Sequence, residues 1–393
     1  MLAYPWVHNY HQFLNMNLFI LTKYESIHFA CIDISRKVYY NNYIIEEMES
    51  MQKPTLADVA ALAGVSTGTV SKYINGLPVR PKNQQKIQSA IDRLHYTPST
   101  LARSFASGRS YTVLLMIIAE SPIVTSTWLH ELPIILGLTE AVNAKGYSIK
   151  IEINALDETE QNLRKIDSYS RGKSDDAIVI LSPWEPDARL IHPLEYYGIP
   201  YVIIGSDSSG RNTGYIDFDN QQPMQDLVQL MYDAGGREFA LIGGFEKQRH
   251  MIYRTKGYLK KLEELRLPNK AGRVAYGDYS LKSGYEAAMK LLTSDDPPDC
   301  ILCGNDYIAS GAVRAAHELN ISIPEALMIS GFDNSVVSEA TFPSITSVSA
   351  PVREMGYTAG RELMKRLEDP EYVIQNQLLK CAIVPRDSTV SHR

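Results

Sequence analysis

Two hydrophobic periods divide this chain of 393 residues. Between residues 55 and 96 the apolar positions follow a helical spacing. Leu56, Val59, Ala60 and Ala63 fall at i, i+3, i+4 and i+7, one stripe along a helix. Thr55 and Asp58 fit a capping box, in which the hydroxyl takes an orphan N–H and the acid faces back. Gly64 permits a sharp turn. Ser66 can then cap a second helix running through Asn75, with Val70 and Ile74 facing inward. Small Ala61 and Ala63 let the two helices cross closely. A third helix with Ile87, Ile91 and Leu94 on one face closes a small core. Helix, short glycine turn, helix is the spacing of a helix-turn-helix.

After Tyr111 the period changes. Short β-branched runs alternate with amphipathic stretches: VLLMIIA (113–119), SIKIEI (148–153), AIVIL (177–181), YVIIG (201–205), GYIDF (214–218), FALIGG (239–244), RVAYG (273–277), CILCG (300–304) and LMISGF (327–332). Continuous apolar runs separated by helices predict parallel strands covered on both faces. The body is therefore expected to be α/β and doubly wound. About 280 residues is long for one open sheet, which predicts two lobes.

Residues 1–50 fit neither period. They hold no glycine, although the chain has 24, and ten of the fifty are aromatic. They also lack the basic start and small-residue cleavage site of a signal peptide. One reading is an added sensory or oligomerisation segment. The other is a mis-called start, with translation beginning at Met51 or Met48. Its Asn-, Tyr- and Ile-rich composition, which AT-rich DNA yields when read as codons, favours the second, and the segment is expected to be disordered or untranslated.

Charge sharpens the division. Residues 51–110 carry eight Lys/Arg against two acids, or +6; residues 1–50 carry −2. The remaining residues carry −10 of the net −6. A basic module on an acidic body suits contact between one part and a polyanion. On the second helix Thr67, Gly68, Ser71, Lys72 and Asn75 face outward, short hydrogen-bonding groups and one cation suited to base edges and phosphates.

The string Thr55-Leu-Ala-Asp-Val-Ala-Ala-Leu-Ala-Gly-Val-Ser-Thr-Gly-Thr-Val-Ser-Lys-Tyr-Ile-Asn75 closely resembles the headpiece of the LacI/GalR family of bacterial transcriptional regulators. The resemblance continues through Leu94-His-Tyr-Thr-Pro98 and Ser99-Thr-Leu-Ala-Arg-Ser-Phe105 to Pro385-Arg-Asp-Ser-Thr389, covering residues 53–389. It implies an all-α helix-turn-helix headpiece (51–98) and a hinge helix with linker (99–110). Two doubly wound parallel α/β lobes of the periplasmic-binding-protein type follow (111–393). Lobe one would take about 111–235 and 350–376; lobe two would take about 236–349 and 377–393. DNA contacts are implied for Thr55, Leu56, Ser66, Thr67, Gly68, Thr69, Ser71, Lys72 and Asn75, and in the hinge for Ser99, Ala102, Arg103 and Phe105. Phe105 stands where the family usually has a leucine wedge; an apolar wedge levers open a base step in the minor groove. Gly68 replaces a longer base-contacting side chain.

For the body, the resemblance implies a ligand cleft between the lobes. Arg254 matches an arginine that forks onto sugar hydroxyls in relatives. Tyr279 stands where relatives stack an aromatic on a sugar face. Asn305 and Asp333 follow two strand ends, where ligands of open α/β sheets gather. Trp128 and Asp219 are further candidates from lobe one. Asp306 is read as the cap of the helix that follows it, and Trp184 as loop packing. Ala350, Gly236 and Pro223 depart from residues common in the family.

Other chemistry lacks its motifs. No GxGxxG follows a strand, and Gly205–Gly210 lacks the Lys-Ser/Thr ending of a P-loop. No GxSxG nucleophile elbow follows a strand run, and no HExxH occurs. Cys300 and Cys303 form a lone CxxC within a strand run and read as buried structural residues. The expectation is a ligand-responsive, sequence-specific DNA-binding regulator of the bacterial cytoplasm, a repressor of a carbohydrate operon. It is expected to have no catalytic site, metal, cofactor or membrane contact. Its partners would be palindromic double-stranded operator DNA, a sugar effector and a second copy in a homodimer. No apolar heptad extension leads up to Arg393, which argues against a zipper-linked tetramer. The alternative is a sugar-binding sensor without operator-specific binding.

Overall fold

The computed structural model describes residues 54–74, 77–96, 104, 107–120, 128–185, 187–205 and 214–389. The chain divides into two compact units near residue 100.

The first unit contains α1 (Leu56–Ala63), α2 (Thr67–Ile74) and α3 (Pro81–Leu94). The capping box forms: the Asp58 N–H donates to Thr55 Oγ1 at 3.3 Å, and the Thr55 N–H donates to Asp58 Oδ2 at 2.7 Å. The Thr55 hydroxyl, which donates to Asp58 Oδ2 at 2.7 Å, and the Thr55 N–H hold the Asp58 carboxyl below the usual carboxylate range. Gly64 ends α1 at φ 64°, a left-handed conformation suited to glycine. Ser66 Oγ accepts from the Thr69 N–H at 3.2 Å and starts α2. Val59, Val70 and Ile87 are fully buried and form the centre of the small core.

The second unit contains β1 (Thr112–Ala119), α4 (Trp128–Asn143), β2 (Ser148–Ala155), α5 (Thr159–Gly172), β3 (Ala177–Leu181), α6 (Ala188–Tyr197), β4 (Tyr201–Ile204) and β5 (Tyr215–Phe218). It continues with α7 (Gln222–Asp233), β6 (Phe239–Gly243), α8 (Arg249–Glu264), β7 (Val274–Tyr276), α9 (Leu281–Leu292), β8 (Cys300–Cys303) and α10 (Asp306–Glu318). The last elements are β9 (Met328–Phe332), α11 (Val336–Ala340), β10 (Thr346–Ser349), α12 (Val352–Glu368), β11 (Gln377–Leu379) and β12 (Ala382–Val384). They build two six-stranded sheets, ordered β11-β5-β4-β3-β1-β2 and β12-β10-β9-β8-β6-β7. All pairings are parallel except β10 with β12. The central strands β3, β6, β8 and β9 are buried along their whole length, which accounts for their unbroken apolar runs. No described helix is long and apolar enough to cross a membrane.

Two boundaries differ from the expected ones. Helix α7 packs against α8, β8 and β12 of the second sheet, so the first crossover falls at Asp219–Gln221 rather than after residue 235. Strand β11 pairs with β5 of the first sheet, so the last crossover falls at Lys380–Cys381 rather than after residue 376. These two crossovers touch: the Asp219 N–H donates to the Leu379 carbonyl at 2.9 Å.

Close backbone contact fixes α4 against α12. A Cβ on Gly137 would lie 2.0 Å from the Arg353 carbonyl oxygen, and one on Gly356 would lie 2.0 Å from that of Ile134. Only glycine fits at either point. Gly236 has a similar cause: a Cβ there would meet Cys300 Sγ at 2.2 Å. Cys300 and Cys303 are buried free thiols, and burial raises the pKa of both.

Candidate functional sites: a helix-turn-helix face and an interlobe cavity

The headpiece presents α2 as its polar helix. Thr67, Gly68 and Lys72 are exposed, while Thr69 and Ser71 are half-buried. Thr55, Ser66 and Thr69 take part in helix caps. Leu56 packs partly against the headpiece core. Asn75, Ser99, Ala102, Arg103 and Phe105 lie outside the described residues.

Between the lobes lies a cavity of about 330 Å³, within the range of small-molecule sites. It sits at the carboxyl ends of the strands: Leu181 ends β3 and Pro183 follows it, Gly205 follows β4, and Gln248 follows β6. Tyr279, Asn305 and Asp333 follow β7, β8 and β9. This is the expected ligand position in an open α/β sheet. The first turn of α4 adds His130 and Glu131, and α8 adds His250 and Arg254.

Arg254 is the anchoring cation, with only 3% of its surface exposed. Its Nε donates to Asn220 Oδ1 at 2.9 Å, and Nη1 donates to the Gly304 carbonyl at 2.5 Å. The guanidinium lies 3.6 Å from the Phe332 ring centroid, a cation–π contact. Its position is thus tied to the first crossover and to the end of β8. Asp333 has a left-handed φ of 102°, uncommon outside glycine and Asn. Burial pushes its pKa to about 6, although Arg254 and His250 oppose the shift.

Two imidazole–carboxyl contacts cross the cleft in opposite senses. His130 Nδ1 from lobe one lies 3.4 Å from Asp333 Oδ1 of lobe two. His250 Nε2 from lobe two lies 3.3 Å from Asp217 Oδ1 on β5. Burial, with Arg254 and His250 nearby, lowers the His130 pKa to about 3, so its ring is neutral at pH 7. Burial raises Glu131 to about 7.

Of the six residues expected at the ligand site, Arg254, Tyr279, Asn305 and Asp333 line one cavity. The Tyr279 hydroxyl donates to Gln248 Oε1 at 2.5 Å, and burial pushes its pKa to about 12. Asn305 accepts from the Ile308 N–H at 2.8 Å and donates to the Tyr279 carbonyl at 3.2 Å. It is therefore Asn305, not Asp306, that caps α10. Asp306 instead fastens the loop after β9 and strand β10: Oδ2 accepts from the Ser335 N–H at 2.6 Å, and Oδ1 accepts from Ser347 Oγ at 2.5 Å. Asp219 does not join the cavity. Its Oδ1 accepts from the N–H groups of Gln221 and Gln222 at 2.8 and 3.0 Å, opening α7. Trp128 begins α4; its side chain lies outside the described residues. The Trp184 ring lies 5.9 Å from Phe245 across the lobes.

Sequence reasoning missed His130, Glu131, Gln248 and His250. Their signal was weak: single polar residues near helix starts, in segments otherwise read as packing.

Residues 55–99 match the family described as bacterial regulatory proteins, lacI family, and residues 228–389 match a periplasmic binding protein-like domain. The chain is 32% identical over 313 residues to catabolite control protein A of Priestia megaterium, covering 79% of this chain and 92% of that protein. A solved complex of the transcriptional regulator CelR with cellobiose aligns with a TM-score of 0.62 at 28% identity, over 85% of this chain and 99% of that one. The lac repressor dimer bound to operator and the anti-inducer ONPF shares the fold, with a TM-score of 0.72 at 23% identity, over 86% and 100%. The chain belongs to the lacI family of bacterial regulatory proteins and is a DNA-binding transcriptional regulator, not an enzyme.

Proposed function

We propose that the protein is a cytoplasmic homodimeric repressor whose grip on a palindromic operator is set by a sugar in the interlobe cavity. The observation that carries this is the cavity itself. Arg254, Asp333 and Asn305 converge on it from one lobe, His130 and Glu131 enter from the other, and apolar Ile134 and Met355 share the wall. Such a set offers donors and acceptors to hydroxyls and apolar surface to C–H faces. The solved CelR complex holds cellobiose, and the lac repressor structure is an operator-bound dimer; both support the reading. Closing the lobes around a ligand would alter how the two headpieces address their half-sites. Such coupling is typically about 1–3 kcal/mol and must be reciprocal. Phe105 is assigned the minor-groove wedge.

A gel shift with the promoter of its own operon tests the proposal. Sequence-specific retardation that changes with one sugar is expected. Sugar binding without operator-specific retardation would leave only a sensor.

A further inference from the structure

Building on the carbohydrate reading above, we infer that the effector is an uncharged polyol rather than a sugar acid or sugar phosphate, and that Glu131 is its anchor in the first lobe. Glu131 stands in the first turn of α4 and lines the cavity. Its Oε2 is buried and has no hydrogen-bond partner among the described residues. An orphaned buried carboxylate oxygen is costly unless a donor reaches it. Across the cleft, His250 Nε2 is likewise buried without a hydrogen bond among the described residues, in spite of its approach to Asp217. Both residues line the cavity, from opposite lobes, and each holds one buried polar atom without a hydrogen-bond partner among the described residues.

A hydroxyl suits both, because it donates and accepts at once. A ligand carboxylate or phosphate cannot donate to Glu131 and would bring a third negative group beside Glu131 and Asp333. The other titratable groups that line the cavity are His130, His250, Arg254, Tyr279, Tyr307 and Asp333. Arg254 is the permanent cation among them. Two of its nitrogens are engaged by Asn220 and Gly304, and its face is covered by Phe332. The Asp217 carboxyl stands behind this wall, 3.3 Å from His250 Nε2. The cavity's carboxyls outnumber its fixed cations, and that balance disfavours an anion.

The arrangement has a proton signature. A hydroxyl that donates to Glu131 stabilises the ionised carboxylate, whose pKa in the empty cavity is about 7. Binding therefore releases a proton, and affinity rises with pH. Linkage through one such group gives roughly a tenfold gain between pH 6 and pH 8. An anionic ligand reverses the sign.

The test is calorimetry on the full chain with neutral mono- and disaccharides and their uronate and phosphate counterparts, at pH 6 and pH 8. The expected result is a neutral sugar that binds more tightly than its acidic counterparts, with a Kd roughly tenfold lower at pH 8. Glu131→Gln should flatten that pH dependence and weaken binding at pH 8, and Glu131→Asp should restore part of the slope. Thermal melting shows that each variant is folded. A uronate or phosphate binding more tightly than its neutral parent overturns the inference and leaves the carbohydrate reading standing. So does a Kd that rises with pH, or one whose slope survives in Glu131→Gln. If no carbohydrate of any class binds, the carbohydrate reading fails and the inference with it.

Discussion

The headpiece and the interlobe cavity both present a few polar side chains to a partner, but they assemble those groups over different distances along the chain. The exposed polar groups of α2 come from one helix, held by a cap at Ser66 and a core centred on Val59, Val70 and Ile87. The cavity draws on α4, α8 and the loops after six strands, with residues as far apart as His130 and Asp333 in contact. The first arrangement stands or falls with a few buried side chains. The second depends on where two sheets end.

Substitutions in one region should therefore spare the other. The largest effect is expected for Arg254→Ala, which removes a buried, hydrogen-bonded charge. Such truncations cost about 2–5 kcal/mol in binding, so effector affinity should fall at least about thirtyfold while operator binding without effector persists. Calorimetry and gel shift on the same preparation check this. An equal loss of both would break the separation. Ile87→Ala should cost the headpiece about 2–4 kcal/mol, abolishing operator retardation while the main melting transition and effector binding persist.

Glu131→Gln tests the cavity's own electrostatics. A carboxyl whose folded pKa is raised contributes stability below its unfolded pKa and loses it as pH rises through the folded value. For Glu131 the window runs from the ordinary Glu range to about 7. The variant should match the parent near pH 5 and exceed it at pH 8 by on the order of 2 kcal/mol, read as a pH-dependent gap in Tm. The smallest effect is expected for Lys72→Ala: weaker operator binding and a salt slope lower by about one unit. An unchanged slope would remove Lys72 from the phosphate contacts.

The same contrast governs what could be read from sequence. Caps, turn and core of the headpiece are local, so Thr55, Asp58, Gly64 and Ser66 carried their signals in spacing alone. Seven of the nine apolar runs, all but those of the edge strands β2 and β7, became buried strands, and buried parallel strands must be apolar on both faces. Strands β10, β11 and β12 escaped because they are short and carry no such run. In β10, Thr346 and Ser347 are buried through side-chain hydrogen bonds instead, to Thr389 and Asp306. The first crossover was placed late because a helix such as α7 has the same pattern whichever sheet it covers. Asn305, which also lines the cavity, took the capping role expected of Asp306, because the loop after β9, distant in sequence, claims the Asp306 carboxylate. His130 and Glu131 gave no spacing signal; only the folded cleft shows that both line it and that His130 meets Asp333.

The glycine contacts between α4 and α12 bear on signal transmission. The helices run side by side in the same direction, from Ile134 beside Gly356 to a Lys145–Glu368 ion pair at 2.7 Å. One end borders the cavity through Glu131, Val352 and Met355. At the other, Arg109 Nη2 donates to the Leu367 carbonyl at 3.2 Å, where the chain enters the body from the linker. At Gly137 and Gly356 backbone meets backbone with no side chain between to compress, and each helix is about 25 Å long. A tilt of about 10° at the effector end would displace the linker end by roughly 4 Å.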